Sequence, residues 1–443
     1  MTSFSDLNLH RQVLKAVTAE GYETPTPIQL QAIPHLLDRR DLLGIAQTGT
    51  GKTAAFALPT LNFLRAQAQN RKPKSAKVLV LAPTRELAGQ IAESFQTYSK
   101  FMDCVTVTVF GGVKISKQIR ALERGCHVLV ATPGRLLDLV NQGAVQLGDV
   151  EVLILDEADQ MLDMGFIHDL RKIIAQVPDQ RQTLLFSATM PKLIADLAQS
   201  YLTDPVRVSV APESTTAERV TQGVIHVANG NKLAVLGKLL DDPEVDRALV
   251  FTRTKYGADK VVRKLMAKKY PAQAIHGNKT QSQRLKALAA FKNGDCRILV
   301  ATDIAARGID IDGISHVINF EMPNVPEQYV HRIGRTARAG KEGISVSLVA
   351  EDELYYLREV EKITRVEVEV LPAPEGCEEL VLPTPDPSVR VRKPKGPGRR
   401  GGGRSGQRSG AATSEQPASK SKMRSRKRPG KNQRRRDREK AKA

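Results

Sequence analysis

Short, nearly continuous aliphatic blocks recur along the chain, each followed by a polar loop and a longer stretch with helical spacing. Strands are predicted at Asp41–Ala46, Lys77–Ala82, Val105–Phe110, His127–Thr132, Glu151–Leu155 and Gln182–Phe186. A second set follows at Ala248–Thr252, Ala272–His276, Arg297–Thr302, His316–Phe320 and Ile344–Val349. Runs such as VLVLA at 78–82 and VLIL at 152–155 have no polar face, as strands covered on both sides require. Strands alternating with helices imply right-handed crossovers and parallel sheets, so the expected fold class is α/β, twice. A polar stretch poor in aliphatics, 209–222, separates the sets and reads as a linker. The heptapeptide Cys126–Thr132 (CHVLVAT) returns as Cys296–Thr302 (CRILVAT) with five identities, which suggests an internal duplication.

Charge changes this picture at one end only. The last 55 residues carry 21 Lys and Arg against 3 Asp and Glu, so +18 of the formal +19 sits there. From Arg399 onward there is no Phe, Tyr or Trp, and the segment is expected to be a disordered polycation attracted to phosphate backbones. A plain solubility extension is the competing reading. The 443-residue chain is 41% hydrophobic, enough for two cores. It shows no apolar run of membrane length, no secretory pattern at its start, and four scattered cysteines without a CxxC pair. Neither a zinc module nor a disulfide scaffold is expected, and a cytoplasmic location without membrane partners fits best.

The sharpest chemical signal is Ala46-Gln47-Thr48-Gly49-Thr50-Gly51-Lys52-Thr53, between a predicted strand and a predicted helix. There, glycines let successive N–H groups turn toward phosphate oxygens, the lysine adds an ammonium and the threonine offers a hydroxyl to Mg²⁺. Ala46 stands where the general pattern has glycine. Asp156-Glu157-Ala158-Asp159 closes the apolar strand at 152–155, and carboxylates so placed are costly unless they meet a cation. Asp156 is expected to orient Mg²⁺ and Glu157 to polarise the attacking water. Taken separately, an ordinary Gly-rich turn and an acidic turn capping a helix are the competing readings of the two segments.

Together with Ser187-Ala-Thr189 and His331-Arg-Ile-Gly-Arg-Thr-Ala-Arg338, these residues resemble the DEAD-box ATP-dependent RNA helicases. Gly21-Tyr-Glu-Thr-Pro-Thr-Pro-Ile-Gln29, with Phe4 upstream, resembles the Q motif of that family. PTREL at 83–87, Gly111-Gly112, TPGR at 132–135, VFTRT at 250–254, His276-Gly277 and ATDIAARGID at 301–310 resemble its remaining motifs, in order. Segments such as TRTKYGADK and IHGNKTQSQR look most like the bacterial RhlE-like branch. Ala337 stands where glycine is usual.

The resemblance implies two RecA-like domains, 1–208 and 223–372, around the 209–222 linker, with 373–443 as the tail. It implies ATP and Mg²⁺ in the cleft. Carried over by position, Tyr22 and Gln29 would meet adenine, residues 46–53 the phosphates, and Gly308 and Asp310 the ribose and phosphates. Lys52, Asp156, Glu157 and the arginine fingers Arg335 and Arg338 would be catalytic, with Thr53 and Asp156 on the metal. RNA would meet Pro83, Thr84, Arg85, Gly112, Thr132, Pro133, Arg135, Arg253, Gly277, Thr302 and Asp303, largely through its backbone. Asp159, Ser187, Thr189 and His331 would couple ATP state to strand separation, Ser187 and Thr189 by hydroxyl bonds to Asp159. For that serine and threonine, local capping is an equal reading of the residues, and for Arg332 so is anchoring a local carboxylate. The implied activity is RNA-dependent ATP hydrolysis that melts short duplexes or remodels RNA–protein complexes. Pre-ribosomal particles or RNA-decay machinery are the expected wider partners. A non-catalytic RNA clamp lacks a reason for Glu157 and the two arginines. A DNA translocase differs by its response to DNA, and a dehydrogenase wants GxGxxG after the first strand, which is absent there.

Overall fold

All eleven predicted aliphatic blocks are strands, several of them a residue or two shorter than the apolar run. The computed structural model describes residues 3–386 except 48, 67–70, 211–219, 307–310, 312 and 338–341. In chain order the first sheet holds β1 (Leu42–Ile45), β2 (Ala76–Leu81), β3 (Thr106–Val109), β4 (Cys126–Ala131), β5 (Val152–Leu155), β6 (Gln182–Ser187) and β7 (Val206–Ser209). The second holds β8 (Val220–His226), β9 (Ala248–Phe251), β10 (Ala272–Ile275), β11 (Ile298–Ala301), β12 (His316–Asn319), β13 (Gly343–Val349) and β14 (Glu369–Val370). Strand order is β3-β4-β2-β5-β6-β1-β7 in one and β10-β11-β9-β12-β13-β8-β14 in the other, and all pairings within the two sheets are parallel. The orders coincide strand for strand. The CHVLVAT and CRILVAT repeats fall at equivalent places, in β4 and in β11 with its flanks.

Each central strand is buried on both faces. Val78, Val80, Val128, Val130, Val152 and Ile154 pack into one layer with Phe56, Ile91 and Phe95, while Leu79, Leu81, Leu129, Leu153 and Leu155 pack into the opposite one. At about 1.5–3 kcal/mol for each fully buried aliphatic side chain, these runs supply much of what opposes chain entropy. The edge strand β3 alternates half-buried threonine with buried valine, as a strand with one wet face should.

Three strands were not legible as such. β8 reads VTQGVIH, and its Gln222 is satisfied at a distance: Tyr329 Oη donates to Gln222 Oε1 at 2.9 Å. Gly223 lies beneath Leu371, where a Cβ would come within 2.3 Å of its side chain. β7 is a short edge strand and β14 has two residues, too short for a period. Of the expected linker 209–222, Ser209 therefore ends β7 and Val220–Gln222 open β8, while 211–219 lie outside the described residues. So does the basic tail from 387 onward.

The ladders continue one residue past the strands. Ala46 N–H donates to Ser187 O, Ala82 to Ala131 O, Thr132 to Val109 O, Asp156 to Leu81 O and Thr252 to Ala301 O, each at 3.0 Å. The first residue of each of these loops is thus fixed by the sheet.

Candidate active site and nucleic-acid edge

The loop after β1 turns on Gly49 and Gly51, at φ +81° and +92°, a region that side chains with a Cβ enter only with strain. Thr50 Oγ1 donates to Gln47 O at 2.8 Å, and the helix Lys52–Ala66 starts directly after, so its free amides head the loop. Lys52 is nearly buried and its Nζ donates to Ala46 O at 2.7 Å. Gln29, from the helix Pro27–Leu37, accepts from Thr26 N–H at 2.9 Å and donates from Nε2 to Gly51 O at 3.2 Å. Its amide is therefore tied to the loop, with one N–H and one lone pair left over. Tyr22 stands at the rim, 44% exposed and edge-on to Tyr98 with ring centres 6.3 Å apart, so it leans on a neighbour yet keeps an open face.

Asp156 and Glu157 are both buried at the end of β5. Glu157 has φ +50°, a left-handed conformation that costs a non-glycine residue about 1–2 kcal/mol. Asp156 Oδ1 accepts from Glu157 N–H at 3.0 Å. Burial raises the Asp156 carboxyl above its ordinary range. Burial and the adjacent Asp156 charge push Glu157 up to about 7, against the opposing pull of Lys52 and Arg335. Glu157 Oε2 is buried without a hydrogen-bond partner in the protein, a loss of about 1–3 kcal/mol unless something else meets it.

Arg335, contributed by the second half, is 4% exposed and its Nε donates to His331 O at 3.1 Å. It lines a cavity of about 1020 Å³ together with Tyr22, Gln29, Lys52, Asp156 and Glu157. Gly49, Gly51 and Thr53 line it as well. Thus one expected arginine finger lies with the phosphate loop, while Arg338, Gly308, Asp310 and Thr48 lie outside the described residues. Arg247 and Lys292 of the second half also line this cavity. No motif marks these two: they are single basic residues in the approaches to β9 and β11.

Asp159 gathers the loop after β6. Its Oδ2 accepts from Ala188 N–H at 3.1 Å, Thr189 N–H at 2.9 Å and Thr189 Oγ1 at 2.8 Å. The expectation that Ser187 also reaches Asp159 needs correction: Ser187 Oγ donates to Thr189 O at 2.7 Å. The serine caps its own turn because its backbone still belongs to β6 and points the hydroxyl inward.

The other motif residues sit at carboxyl ends of strands. In the first sheet, the nucleotide motifs leave β1 and β5, and β6 carries the Ser187–Thr189 turn beside them. The expected RNA motifs leave β2, β4 and β3. The boundary falls between β2 and β5. Thr84 caps the helix Arg85–Tyr98 by accepting from Leu87 N–H at 3.2 Å. The Arg85 guanidinium lies over Gly112 so closely that a Cβ would be 1.9 Å from Nη1. Burial and the nearby Arg284 lower the affinity of Arg85 for its proton. Thr132 and Pro133 open the helix Pro133–Asn141, and Arg135 Nη1 donates to Val113 O at 3.3 Å. In the second sheet Arg253, Gly277, Thr302 and Asp303 follow β9, β10 and β11. Asp303 is not free for ligand: Arg332 grips both its oxygens, at 2.5 and 2.8 Å, so Arg332 is an anchor for a local carboxylate.

One contact was missed altogether. Arg284 Nη2 lies 2.7 Å from Glu86 Oε2, and Gln281 Nε2 donates to Glu86 Oε1 at 3.1 Å, joining the two halves through buried groups. The available signal was Gln281 and Arg284 three apart at the start of the helix Gln281–Asn293, on one face.

Known proteins resemble this chain in sequence and in fold. The family model described as DEAD/DEAH box helicase matches residues 26–197, and that described as helicase conserved C-terminal domain matches 231–340. The DEAD-box ATP-dependent RNA helicase CshA of Bacillus cereus is 44% identical over 374 residues, 84% of this chain and 70% of that protein. The ATP-dependent RNA helicase CshA of Listeria monocytogenes is 45% identical over 374 residues, 84% of this chain and 71% of that protein. Among solved structures, S. cerevisiae Dbp5 bound to RNA and ADP BeF3 superposes with a TM-score of 0.74 at 29% identity, covering 86% of this chain and 98% of that one. On these family matches, and on relatives 44–45% identical over 84% of its length, the chain belongs to the DEAD-box ATP-dependent RNA helicase family.

Proposed function

We propose that this chain hydrolyses ATP in an RNA-dependent cycle, with Lys52 and the phosphate loop holding the triphosphate, Glu157 serving as base and Arg335 as a finger from the second half. The observation that carries the reading is the shared cavity: Lys52, Asp156, Glu157 and Arg335 line one space although they come from two sheets. A base poised near neutrality and a guanidinium on the opposite wall suit phosphoryl transfer to water. Arg338, Gly308 and Asp310 are assigned to the same site by their motif positions. Gln29 and Tyr22 are assigned to adenine, and Gln29 additionally holds the loop at Gly51.

Mg²⁺ fits these residues. The donors are oxygens only, a buried Asp156 carboxylate and the Thr53 hydroxyl, and the neighbouring Glu157 Oε2 lacks a partner. Mg²⁺ characteristically takes one or two protein oxygens and fills the rest with water and phosphate. When bound it would neutralise phosphate charge; Asp156 and Thr53 would hold it, and Glu157 would accept the proton of the attacking water.

RNA is assigned to Pro83, Thr84, Arg85, Gly112, Thr132, Pro133 and Arg135 on the first sheet and Arg253, Gly277, Thr302 and Asp303 on the second. Asp303 acts there indirectly, by holding Arg332. Asp159, Thr189, Ser187 and His331 link the two ligands. The halves expected at 1–208 and 223–372 are assigned instead to 1–209 and 220–386, because Ser209 ends β7 and Val220 opens β8. Part of the expected tail 373–443 packs on the second half, where Cys377 is buried and Leu382 N–H donates to His226 O at 2.7 Å. The stretch from 387 onward is assigned as the tail that adds sequence-independent affinity. Among the described residues no helix is long and apolar enough to cross a membrane. A cytoplasmic site of action, with pre-ribosomal particles or RNA-decay machinery as partners, belongs to the same proposal. So does placement in an RhlE-like branch, which rests on TRTKYGADK and IHGNKTQSQR and is separable from the helicase reading; the relatives quoted above are CshA proteins.

The test is a steady-state ATPase assay with single-stranded RNA, single-stranded DNA or neither, run on wild type and E157Q. RNA should stimulate the wild type and DNA should not. E157Q should lose turnover while still binding RNA when ATP is present. Equal stimulation by DNA, or normal turnover by E157Q, overturns the assignment.

A further inference from the structure

We infer that Glu353 is a positioning residue for RNA, acting through Arg253, an inference that rests on the proposed role of Arg253. Arg253 follows β9 at the edge that carries Gly277 and Thr302. Its backbone is fixed, since its N–H donates to Glu321 Oε2 at 2.6 Å. Its guanidinium is held at two points: Nη2 lies 3.2 Å from Glu353 Oε1, and Nη1 donates to Asn324 Oδ1 at 3.5 Å.

Glu353 itself is wholly buried at the start of the helix Leu354–Thr364. Its Oε1 also accepts from Met322 N–H at 3.1 Å, and its Oε2 accepts from Ala350 N–H at 3.2 Å and from Lys232 Nζ. Lys232 is buried too and donates to Phe320 O at 2.9 Å. One lysine and two amides already neutralise this carboxylate and fill three of its acceptor positions. The fourth is turned outward and taken by the one partner that reaches solvent, Arg253, whose side chain remains 25% exposed. A guanidinium offers five N–H groups in a rigid plane. Two being committed to Glu353 and Asn324, the others stay presented on the outer edge in a fixed orientation for a phosphate. Without Glu353 the long side chain would have to lose its rotamer freedom at the moment of binding.

The experiment titrates a labelled oligouridylate against the full chain with a non-hydrolysable ATP analogue, using R253A, E353Q, K232M, the K232M/E353Q pair and the R253A/E353Q pair. R253A and E353Q should each weaken binding about five- to tenfold, and the R253A/E353Q pair should bind no worse than R253A alone. K232M breaks the same buried ion pair but leaves Arg253 its anchor, so it should bind within about twofold of wild type. K232M/E353Q, which removes both buried charges and so guards against misfolding, should show the E353Q loss. Wild-type binding by E353Q or K232M/E353Q beside a weakened R253A overturns the positioning role alone. A K232M loss as large as that of E353Q overturns it as well. An unchanged R253A overturns it together with the RNA role of Arg253.

Discussion

Lys52 and Asp159 show how single side chains were read and where reading stopped. The Lys52 ammonium bonds the Ala46 carbonyl at 2.7 Å, a neutral partner that a phosphate outcompetes. K52A should raise the dissociation constant for ATP on the order of tenfold or more, measured with a fluorescent nucleotide, with little change in RNA binding in its absence. Lys52, Asp156 and Glu157 were legible because their chemistry forces their neighbours: a phosphate loop needs its glycines, and a carboxylate after an aliphatic strand needs a reason. The direction of a hydroxyl was not legible. Ser187 and Thr189 look alike in sequence, yet only Thr189 reaches Asp159, at 2.8 Å. T189V should therefore reduce duplex unwinding per ATP by about three- to tenfold, and S187A by less. Equal losses in a coupled unwinding and ATPase assay would remove the distinction drawn here.

At the scale of elements, strands inside the sheets were legible and those at their margins were not. VLVL and VLIL admit one environment, whereas VTQGVIH is a strand through its seven-residue pairing with β13, with Tyr329 and Leu371 set against Gln222 and Gly223. The same density makes the centre unforgiving. Leu129, fully buried in β4, should cost about 2–5 kcal/mol on replacement by alanine, read from urea unfolding. G51A strikes a different kind of element. A Cβ would meet Gln29 Nε2 at 2.6 Å and Thr26 Oγ1 at 2.9 Å at φ +92°, so the loop must move away from the helix Pro27–Leu37. ATP affinity should fall while the unfolding midpoint changes little; an unaltered affinity would mean that Gln29 does not register the loop.

For the molecule as a whole, duplication was visible as one repeated heptapeptide, and the sheets prove equivalent strand by strand. The contact between halves was not read, because Glu86 lies 195 residues from Gln281 and 198 from Arg284, and each resembles a solvated charge or amide. R284A leaves the Glu86 carboxylate buried without its cation and should weaken ATP-dependent RNA binding on the order of tenfold, with unstimulated ATP hydrolysis near normal. Deleting 389–443, which holds +18 of the net charge, should flatten the dependence of RNA affinity on salt. An identical slope after deletion would leave that segment without a part in binding.

The second sheet carries Arg335 and Arg253 on one frame, and this has a mechanical result. Thr336, next to Arg335, is bonded to the Ile314 carbonyl at the entrance to β12, whereas Arg253 stands at the exit of β9. The two arginines are therefore fixed to different places on one stiff plate. A plate of that kind moves as one body: a tilt that carries Arg335 must carry Arg253 with it. If the proposed assignments hold, a displacement at the triphosphate would reach the nucleic acid as motion of a rigid body, with no need for any strand in between to deform.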